Sequence, residues 1–492
     1  MKLRSFYMLL CAILVQMQVT ASVITLTGPK GSGIIASLTA ERLEFHETLG
    51  VGLADTRYDN VGYIDFSSQS EKKFTLNHEK PVILNLTIAP KPGTKTFQAR
   101  TYPLYIQPDE HLTVEFSPDG QPRFTGVYAP RQEFLSEYFL ENHFQFLPAL
   151  GYRPDAPEFS HIEAQIDSLQ QLRDSQFQAY KAKTPTGGDA GFSEYVLARM
   201  MTEPYLLKTF IADKKMRQGR AVRLSATQRQ ELDEFAINNF KILGDEALLS
   251  KAYRDELRHW IQIPVKQNYP GDSLYQIPVN PLAIADLYRL SQEKLMDYPE
   301  QKKYLLTYWL NHAATSLNDP KIAGILLKEY KNIYPNATET TYFAHLIAAK
   351  NKLQKGLPAP ALTLLKSDST ELALSTLNGR PVCLVFAFNP RQFEADLKKL
   401  EEKYSGKVQF VYATVSPAIP YGFWKKNTNT RAGIIHLWAN PEQVEQIKKD
   451  YVTEIRYPFV VIDKSGKIVE RWIPQQFPQN ESLETVLKQV AR

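Results

Sequence analysis

Cysteine is the residue type whose placement in this chain bears most directly on chemistry. The 492-residue sequence contains two cysteines, Cys11 and Cys383. Thiol–disulfide exchange needs one thiolate that attacks and a second thiol that resolves the mixed disulfide. Cys11 lies in an apolar N-terminal stretch, and Cys383 stands between Val382 and Leu384 in a continuous apolar run. A buried cysteine in apolar surroundings has a raised pKa and is inert, so we interpret Cys383 as a packing residue.

Other residue types that carry chemistry form no motif. His46-Glu47 lacks a second histidine four residues later, and His436 lies in a predicted strand. No nucleophile elbow and no phosphate-binding loop occurs in the sequence. The adjacent carboxylates Glu401 and Glu402 fall on a charged helix face, where we expect both to be solvated. The sequence therefore predicts no metal, no cofactor and no catalytic residue.

The N-terminus has the layout of a secretion signal. Lys2 and Arg4 precede an apolar stretch over residues 8–15, and the small residue Ala21 follows. We predict a signal peptide over residues 1–21 with cleavage after Ala21. A retained membrane anchor is the alternative, but the stretch is shorter than the ~20 residues of a spanning helix. No later segment is a transmembrane candidate, so we expect an exported protein of the periplasm or cell envelope.

Overall charge gives no reason to expect a nucleic-acid partner. The chain has 58 Lys and Arg against 53 Asp and Glu, a formal net charge of +5, and no dense basic block. The mature chain is too long for one hydrophobic core, and its periodicity changes twice. Period-two runs with frequent turns predict a β-sandwich domain over 22–128, and helical periodicity predicts a helical domain over 129–354. Strands then alternate with helices over 355–492, which predicts a mixed sheet with helices on both faces.

Several landmarks in the last segment resemble one family. Residues 356–360 (Gly-Leu-Pro-Ala-Pro), 377–382 (Leu-Asn-Gly-Arg-Pro-Val) and 457–469 resemble the entry, the approach to the central strand and the cis-proline hairpin of TlpA-type thioredoxin-like domains. Upstream, residues 105–114 resemble a short sequence motif of the β-rich N-terminal domains in Bacteroidota envelope proteins. The resemblance implies a multidomain α+β chain: an N-terminal antiparallel β-sandwich, a helical middle region and a C-terminal thioredoxin-like α/β domain.

One family motif is missing. These domains carry W-C-x-x-C after the central strand, whereas this chain has Phe-Asn-Pro-Arg-Gln-Phe over residues 388–393. The resemblance also implies that Tyr457, preceding a cis Pro458, offers backbone hydrogen bonds to an extended peptide. Asn389, Arg391 and Gln392 would line the same face of this candidate peptide-binding edge. The alternative is a turn kept for its geometry, with no ligand.

Three hypotheses about function follow. The favoured one is an exported, TlpA-like protein without redox activity that binds an envelope protein or an extended peptide. The second is a redoxin-family enzyme that works through an atypical site, such as Cys383 alone or a site in the upstream domains. The third is a purely structural envelope protein.

Overall fold

The computed structural model describes residues 21–47, 52–93, 97–138, 159–184, 190–217, 240–269, 280–429, 431–453, 457–475 and 481–492, with single positions between 227 and 238. The chain forms two compact units. The first comprises residues 1–46, 55–278 and 295–301, and the second comprises 47–54, 279–294 and 302–492. The predicted leader lies outside the described residues except for Ala21, the first residue of the first strand. Among the described helices, none has the length and apolar character needed to cross a membrane.

Two four-stranded sheets pack face to face in the first unit. Their strands are β1 (Ala21–Thr27), β2 (Ile34–Glu47), β3 (Leu53–Asp65), β4 (Glu71–Asn77), β5 (Val82–Pro90), β6 (Arg100–Ile106), β7 (His111–Phe116) and β8 (Pro122–Thr125). The orders are β4-β1-β7-β8 and β3-β2-β5-β6. Inward side chains of both sheets, including Leu26, Leu38 and Leu86, form one core. The antiparallel prediction is wrong for one pair: β1 and β7 are parallel, because strands of the other sheet intervene between them in the chain.

The Gln132 side chain occupies backbone hydrogen-bonding groups at the β6 edge of the second sheet. The Gln132 amide donates to the Tyr105 carbonyl at 2.7 Å and accepts from the Tyr105 N–H at 3.2 Å. Pro103 has no N–H to offer at the next outward position. Edge strands with free backbone groups invite pairing with another chain, and this strand is protected at both positions.

Most of the other described residues of the first unit are helical. Residues 129–138 are helical, and three longer helices follow: α1 (Phe159–Lys183), α2 (Ala190–Arg217) and α3 (Lys251–Lys266). Within 129–354 the helical periodicity predicts a helix over 246–262. The helix starts later, because a 3-10 turn occupies Asp245–Leu249 and the Ser250 hydroxyl accepts the Tyr253 N–H as the N-cap of α3. The same periodicity predicts a helix over 225–243, most of which lies outside the described residues.

The second unit combines helices with the last sheet. The helices are α4 (Pro281–Lys294), α5 (Pro299–Ser316), α6 (Lys321–Ile333) and α7 (Glu339–Lys352). The helical periodicity predicts them over 281–294, 301–316, 322–333 and 341–352, within two residues of these bounds. The buried Lys350 ammonium donates to the carbonyls of Thr315 and Leu317 at 2.9 and 3.0 Å. The same ammonium lies 4.7 Å from the centre of the Trp472 ring in the sheet region. Residues 302–492 belong to one compact unit. The domain bounds at 128 and 354 stay a prediction.

The last sheet has seven strands in the order β10-β9-β13-β12-β11-β14-β15. The strands are β9 (Thr363–Leu365), β10 (Glu371–Ala373), β11 (Val382–Ala387), β12 (Gln409–Thr414), β13 (Ile434–Trp438), β14 (Phe459–Ile462) and β15 (Ile468–Ile473). The helices are α8 (Glu394–Lys403), α9 (Tyr421–Asn427), α10 (Pro441–Tyr451) and α11 (Glu481–Val490). Strands β11, β12 and β13 are parallel, and the β14–β15 hairpin extends the sheet in antiparallel fashion.

This strand order is the thioredoxin-like arrangement that the resemblance implies. Leu397 of α8 and Leu483 of α11 pack on one face of the sheet, and Tyr451 of α10 contacts Phe386 on another face. The strand predicted around His436 is β13. The β9–β10 hairpin was not predicted, because its strands have three residues each and their alternation is too brief to show in the sequence.

Candidate functional site

A self-closed turn stands where redox members of the fold carry their cysteines. The Gln392 side-chain oxygen accepts the Phe388 N–H at 2.6 Å, and the Gln392 N–H donates to the Asn389 carbonyl at 3.2 Å. The Asn389 side chain accepts the Arg391 N–H at 3.2 Å. Asn389 and Arg391 are exposed, and Gln392 is half-buried. The turn thus uses its own amide groups to hold its shape.

Helix α8 begins directly after this turn. Phe393 precedes it with a positive φ of 70° and is buried, so the chain turns sharply into the helix. In a thioredoxin the positive end of this helix lowers the pKa of the attacking cysteine. Here the first turn carries the carboxylates Glu394 and Asp396 instead. The N-terminal end of α8, which would stabilise a thiolate, therefore already has the carboxylates of Glu394 and Asp396 beside it.

The Tyr457-Pro458 segment lies next to the end of β11. The Pro458 carbonyl accepts the Phe386 N–H at 2.9 Å, which places this segment beside the turn over 389–392. The structure therefore brings the five residues of the candidate edge to one end of the sheet. The Tyr457 carbonyl, however, accepts a hydrogen bond from the Arg471 guanidinium at 2.5 Å. One backbone group that a bound peptide would use is already engaged inside the protein.

Arg471 is the residue of this region that the sequence analysis missed. It is 1% exposed, and it also donates to the carbonyls of Tyr451 at 3.0 Å and Val452 at 2.9 Å. The only sequence signal is a charged residue between Glu470 and Trp472 in a short strand. That pattern is typical of a solvent-facing position on an edge strand, so the burial is visible only in the fold.

Cys383 lies in the middle of β11 and is fully buried. Burial, and secondarily the nearby Glu401 carboxylate, raise the pKa of its thiol. A thiol held in its protonated form and away from solvent is a poor nucleophile. The arrangement agrees with the packing role expected from the apolar run.

The expectation that Glu401 is solvated is wrong. Glu401 is 6% exposed, accepts a hydrogen bond from the Tyr412 hydroxyl, and forms a two-pronged ion pair with Arg431. Its neighbour Glu402 is exposed as predicted. His436 stacks on Tyr412 with ring centres 5.2 Å apart. The partners come from β12, β13 and the segment before β13, which the helix sequence alone cannot reveal.

A serine–histidine pair in the first unit resembles a nucleophile with its base. The Ser22 hydroxyl lies 2.9 Å from His78 Nε2, and His78 Nδ1 lies 2.8 Å from the Lys80 carbonyl. Ser22 is fully buried, and its hydroxyl also donates to the Gln107 carbonyl at 2.8 Å. No substrate can reach this oxygen without unfolding, so the pair is structural. Within the described ranges, no group of His, Cys, Asp and Glu has the arrangement of a metal site.

Comparison with known proteins finds similarity at the level of structure. No family model and no curated protein matches the sequence. The thioredoxin domain of a thiol-disulfide oxidoreductase from Bacteroides vulgatus is 18% identical, covering 28% of this chain and 99% of that one, with a TM-score of 0.23. A thiol:disulfide interchange protein of the thioredoxin family from Chlorobium tepidum is 21% identical over 27% and 96%, with a TM-score of 0.22.

A SCO1/SenC family lipoprotein from Bacillus anthracis is 18% identical, covering 27% of this chain and 95% of that chain, with a TM-score of 0.23. Part of this chain therefore matches thioredoxin-like structures. Because the identities and scores are low, the fold of the last domain rests on its strand order and helix placement.

Proposed function

We propose that this chain is an exported protein of the cell envelope that uses its thioredoxin-like domain for binding and not for thiol–disulfide exchange. The observation that carries the proposal is the position of its thiol. Cys383 is buried within β11, whereas the turn before α8 carries Asn389 and Gln392 at the spacing of a cysteine pair. The carboxylates in the first turn of α8 add to this, because they oppose a thiolate at the same place.

An insulin-reduction assay tests the absence of exchange activity. We expect no turnover above buffer by the purified protein, with a thioredoxin as the assay standard. The matched variant is Asn389→Cys with Gln392→Cys, because the turn between these positions is closed by a 3.2 Å hydrogen bond. We expect this variant to form a disulfide, measured as a mass loss of two hydrogens. Turnover of insulin by the unmodified protein would contradict the proposal.

Alkylation tests the alternative hypothesis, in which Cys383 works as a single redox-active cysteine. The mature protein, in which the proposed cleavage after Ala21 leaves Cys383 as the single thiol, is treated with iodoacetamide before and after denaturation. Because Cys383 is fully buried and the pKa of its thiol is raised, we expect labelling in denaturant only. Rapid labelling of the native protein would favour the single-cysteine alternative.

Crosslinking in cells of the native envelope tests the binding role itself. A stable partner protein that copurifies through the thioredoxin-like domain supports binding. The predicted signal peptide and the cleavage after Ala21 remain part of the proposal, since residues 1–20 lie outside the described residues.

A further inference from the structure

Acidic residues are missing from the two chain segments before and after α8. Residues 372–393 and 403–441 contain no Asp or Glu, whereas they contain seven Lys or Arg. Two of the seven are paired, Lys403 with Glu484 and Arg431 with Glu401, and Arg380 precedes the other end of β11. The α9 side of the turn therefore has an excess of positive charge, whereas Glu394 and Asp396 lie on its α8 side.

Part of this charge is fixed beside an exposed aromatic ring. The Arg391 Nε donates to the Asn427 carbonyl at the end of α9 at 3.2 Å, and the Asn427 side chain donates to the Phe423 carbonyl at 2.8 Å. Phe423 is 55% exposed, and Lys425 and Lys426 are exposed on the same short helix. Phe423 and Lys426 are three residues apart and hence share a side of the helix.

We call Arg391, Phe423, Lys425 and Lys426 the α9 patch. None of its three cations forms a salt bridge with a carboxylate of the described residues, and Lys425 instead lies 6.0 Å from the centre of the Tyr421 ring. The ring and the charges are held by a short helix and a self-closed turn, so a ligand would order few side chains on this surface. The α9 patch therefore presents three cations without a carboxylate partner among the described residues, around the exposed ring of Phe423.

We propose that the α9 patch binds an acidic, extended segment of a partner protein whose apolar side chain covers Phe423. The inference rests on the proposed binding function and names the chemistry of its partner. Three cations are fewer than the roughly 6–10 phosphate contacts of a typical nucleic-acid site and than the roughly 4–8 basic residues of a lipid-binding cluster. An aromatic anchor with a charged rim is the usual anatomy of a protein interface.

Fluorescence anisotropy with a defined probe tests the inference on the full chain. The probe is a fluorescein-labelled peptide of glutamates with two phenylalanines, and its counterpart has lysine in place of every glutamate. We expect the acidic probe to bind and the basic one not to bind. Lys425→Glu with Lys426→Glu should weaken binding about tenfold, since each reversed rim charge changes affinity by a few-fold. Phe423→Ser should weaken it by a similar factor through lost apolar contact.

The matched control is Lys398→Glu with Lys399→Glu, which reverses two exposed charges on α8 away from the patch. We expect this control to stay within about twofold of the unmodified protein once ionic strength is fixed. Three outcomes overturn the inference: no binding of the acidic probe, equal losses in the α8 control, or stronger binding to phosphatidylglycerol vesicles with the same dependence on the patch. If insulin is not reduced and the acidic probe fails to bind, the inference alone is wrong. Insulin turnover would instead contradict the proposed function.

Discussion

Arg471→Met tests how the Tyr457 edge is held in place. The guanidinium is 1% exposed and donates to the carbonyls of Tyr451, Val452 and Tyr457 at 3.0, 2.9 and 2.5 Å. Methionine keeps much of the side-chain length but donates no hydrogen bond. These three carbonyls, two of them at the end of α10 and one before Pro458, then lose this donor, as does the more distant Phe459 carbonyl at 3.4 Å.

The expected loss follows from these contacts. A buried polar group left unsatisfied costs about 1–3 kcal/mol, so three carbonyls give a gross cost of several kcal/mol. Removing the buried charge offsets part of this, because its burial in the native state is itself unfavourable. We therefore expect the free energy of unfolding of the second unit to fall by about 3 kcal/mol in Arg471→Met. The free energy of unfolding of Arg471→Lys should lie between that of Arg471→Met and that of the unmodified protein.

Cys383 serves as the reporter of this loss. In the mature protein, from which the proposed cleavage removes Cys11, it is the single thiol, and reaction with Ellman's reagent requires opening of β11. If the domain recloses faster than it reacts, the labelling rate follows the population of the open form. A loss of about 3 kcal/mol then raises the rate on the order of a hundredfold.

Arg289→Met is the matched control, because Arg289 lies on α4 in the same unit with a 64% exposed side chain and only surface ion pairs. We expect its labelling rate to stay within about twofold of the reference. A labelling rate for Arg471→Met that also stays within about twofold would refute the argument that this guanidinium holds the edge.

Two further predictions concern buried polar groups. Burial, and secondarily Arg431, lower the pKa of His436 to about 4, whereas an unfolded histidine titrates near ~6.5. The unfolded state thus binds more protons between these values, so stability falls as pH falls from about 6.5 to 4. His436→Phe should flatten that part of the profile in urea unfolding, and an unchanged slope would assign it to other groups. Glu110→Gln removes the carboxylate 3.0 Å from the buried Arg131 guanidinium and should cost about 3 kcal/mol in urea unfolding. Adding Arg131→Met should recover part of this loss, and strictly additive losses would contradict coupling of the pair.

The elements with strong periodicity were predictable from the sequence. The alternation along β5 and the uninterrupted apolar run of β11 each predicted a strand, and the buried residues of both strands belong to cores. Parallel pairing of β1 with β7 was not predictable, because alternation states which face is buried and not which direction the neighbour runs. The position of the candidate edge followed from the family landmarks, and the strand order places its residues at one end of the sheet.

The charged residues inside the structure were not predictable in the same way. Glu401 and Lys350 stand on helices whose other charges are mostly exposed, and Arg471 stands in a strand of mixed character. Each is buried because its acceptors or donors come from elements far away in sequence, such as Arg431 for Glu401. Local patterns contain no information about those partners, so a charged residue is assigned to the surface by default.

Each feature that could stabilise a thiolate in this fold already interacts with another group of this chain. The N-terminus of α8 has Glu394 and Asp396 in its first turn, and the Tyr457 carbonyl accepts from Arg471. The Phe388 N–H donates to the Gln392 side chain, and the Arg391 N–H donates to the Asn389 side chain. A ligand at the turn over residues 389–392 would have to break these contacts before making its own, which weakens binding there. In the α9 patch Arg391 also donates to the Asn427 carbonyl, whereas Lys425 and Lys426 form no salt bridge with a described carboxylate. Under the proposed function, a partner would therefore gain more free energy at the two lysines of the α9 patch than at the turn. Introducing two cysteines into the turn should not by itself give a reactive thiolate, because the carboxylates of α8 oppose its charge.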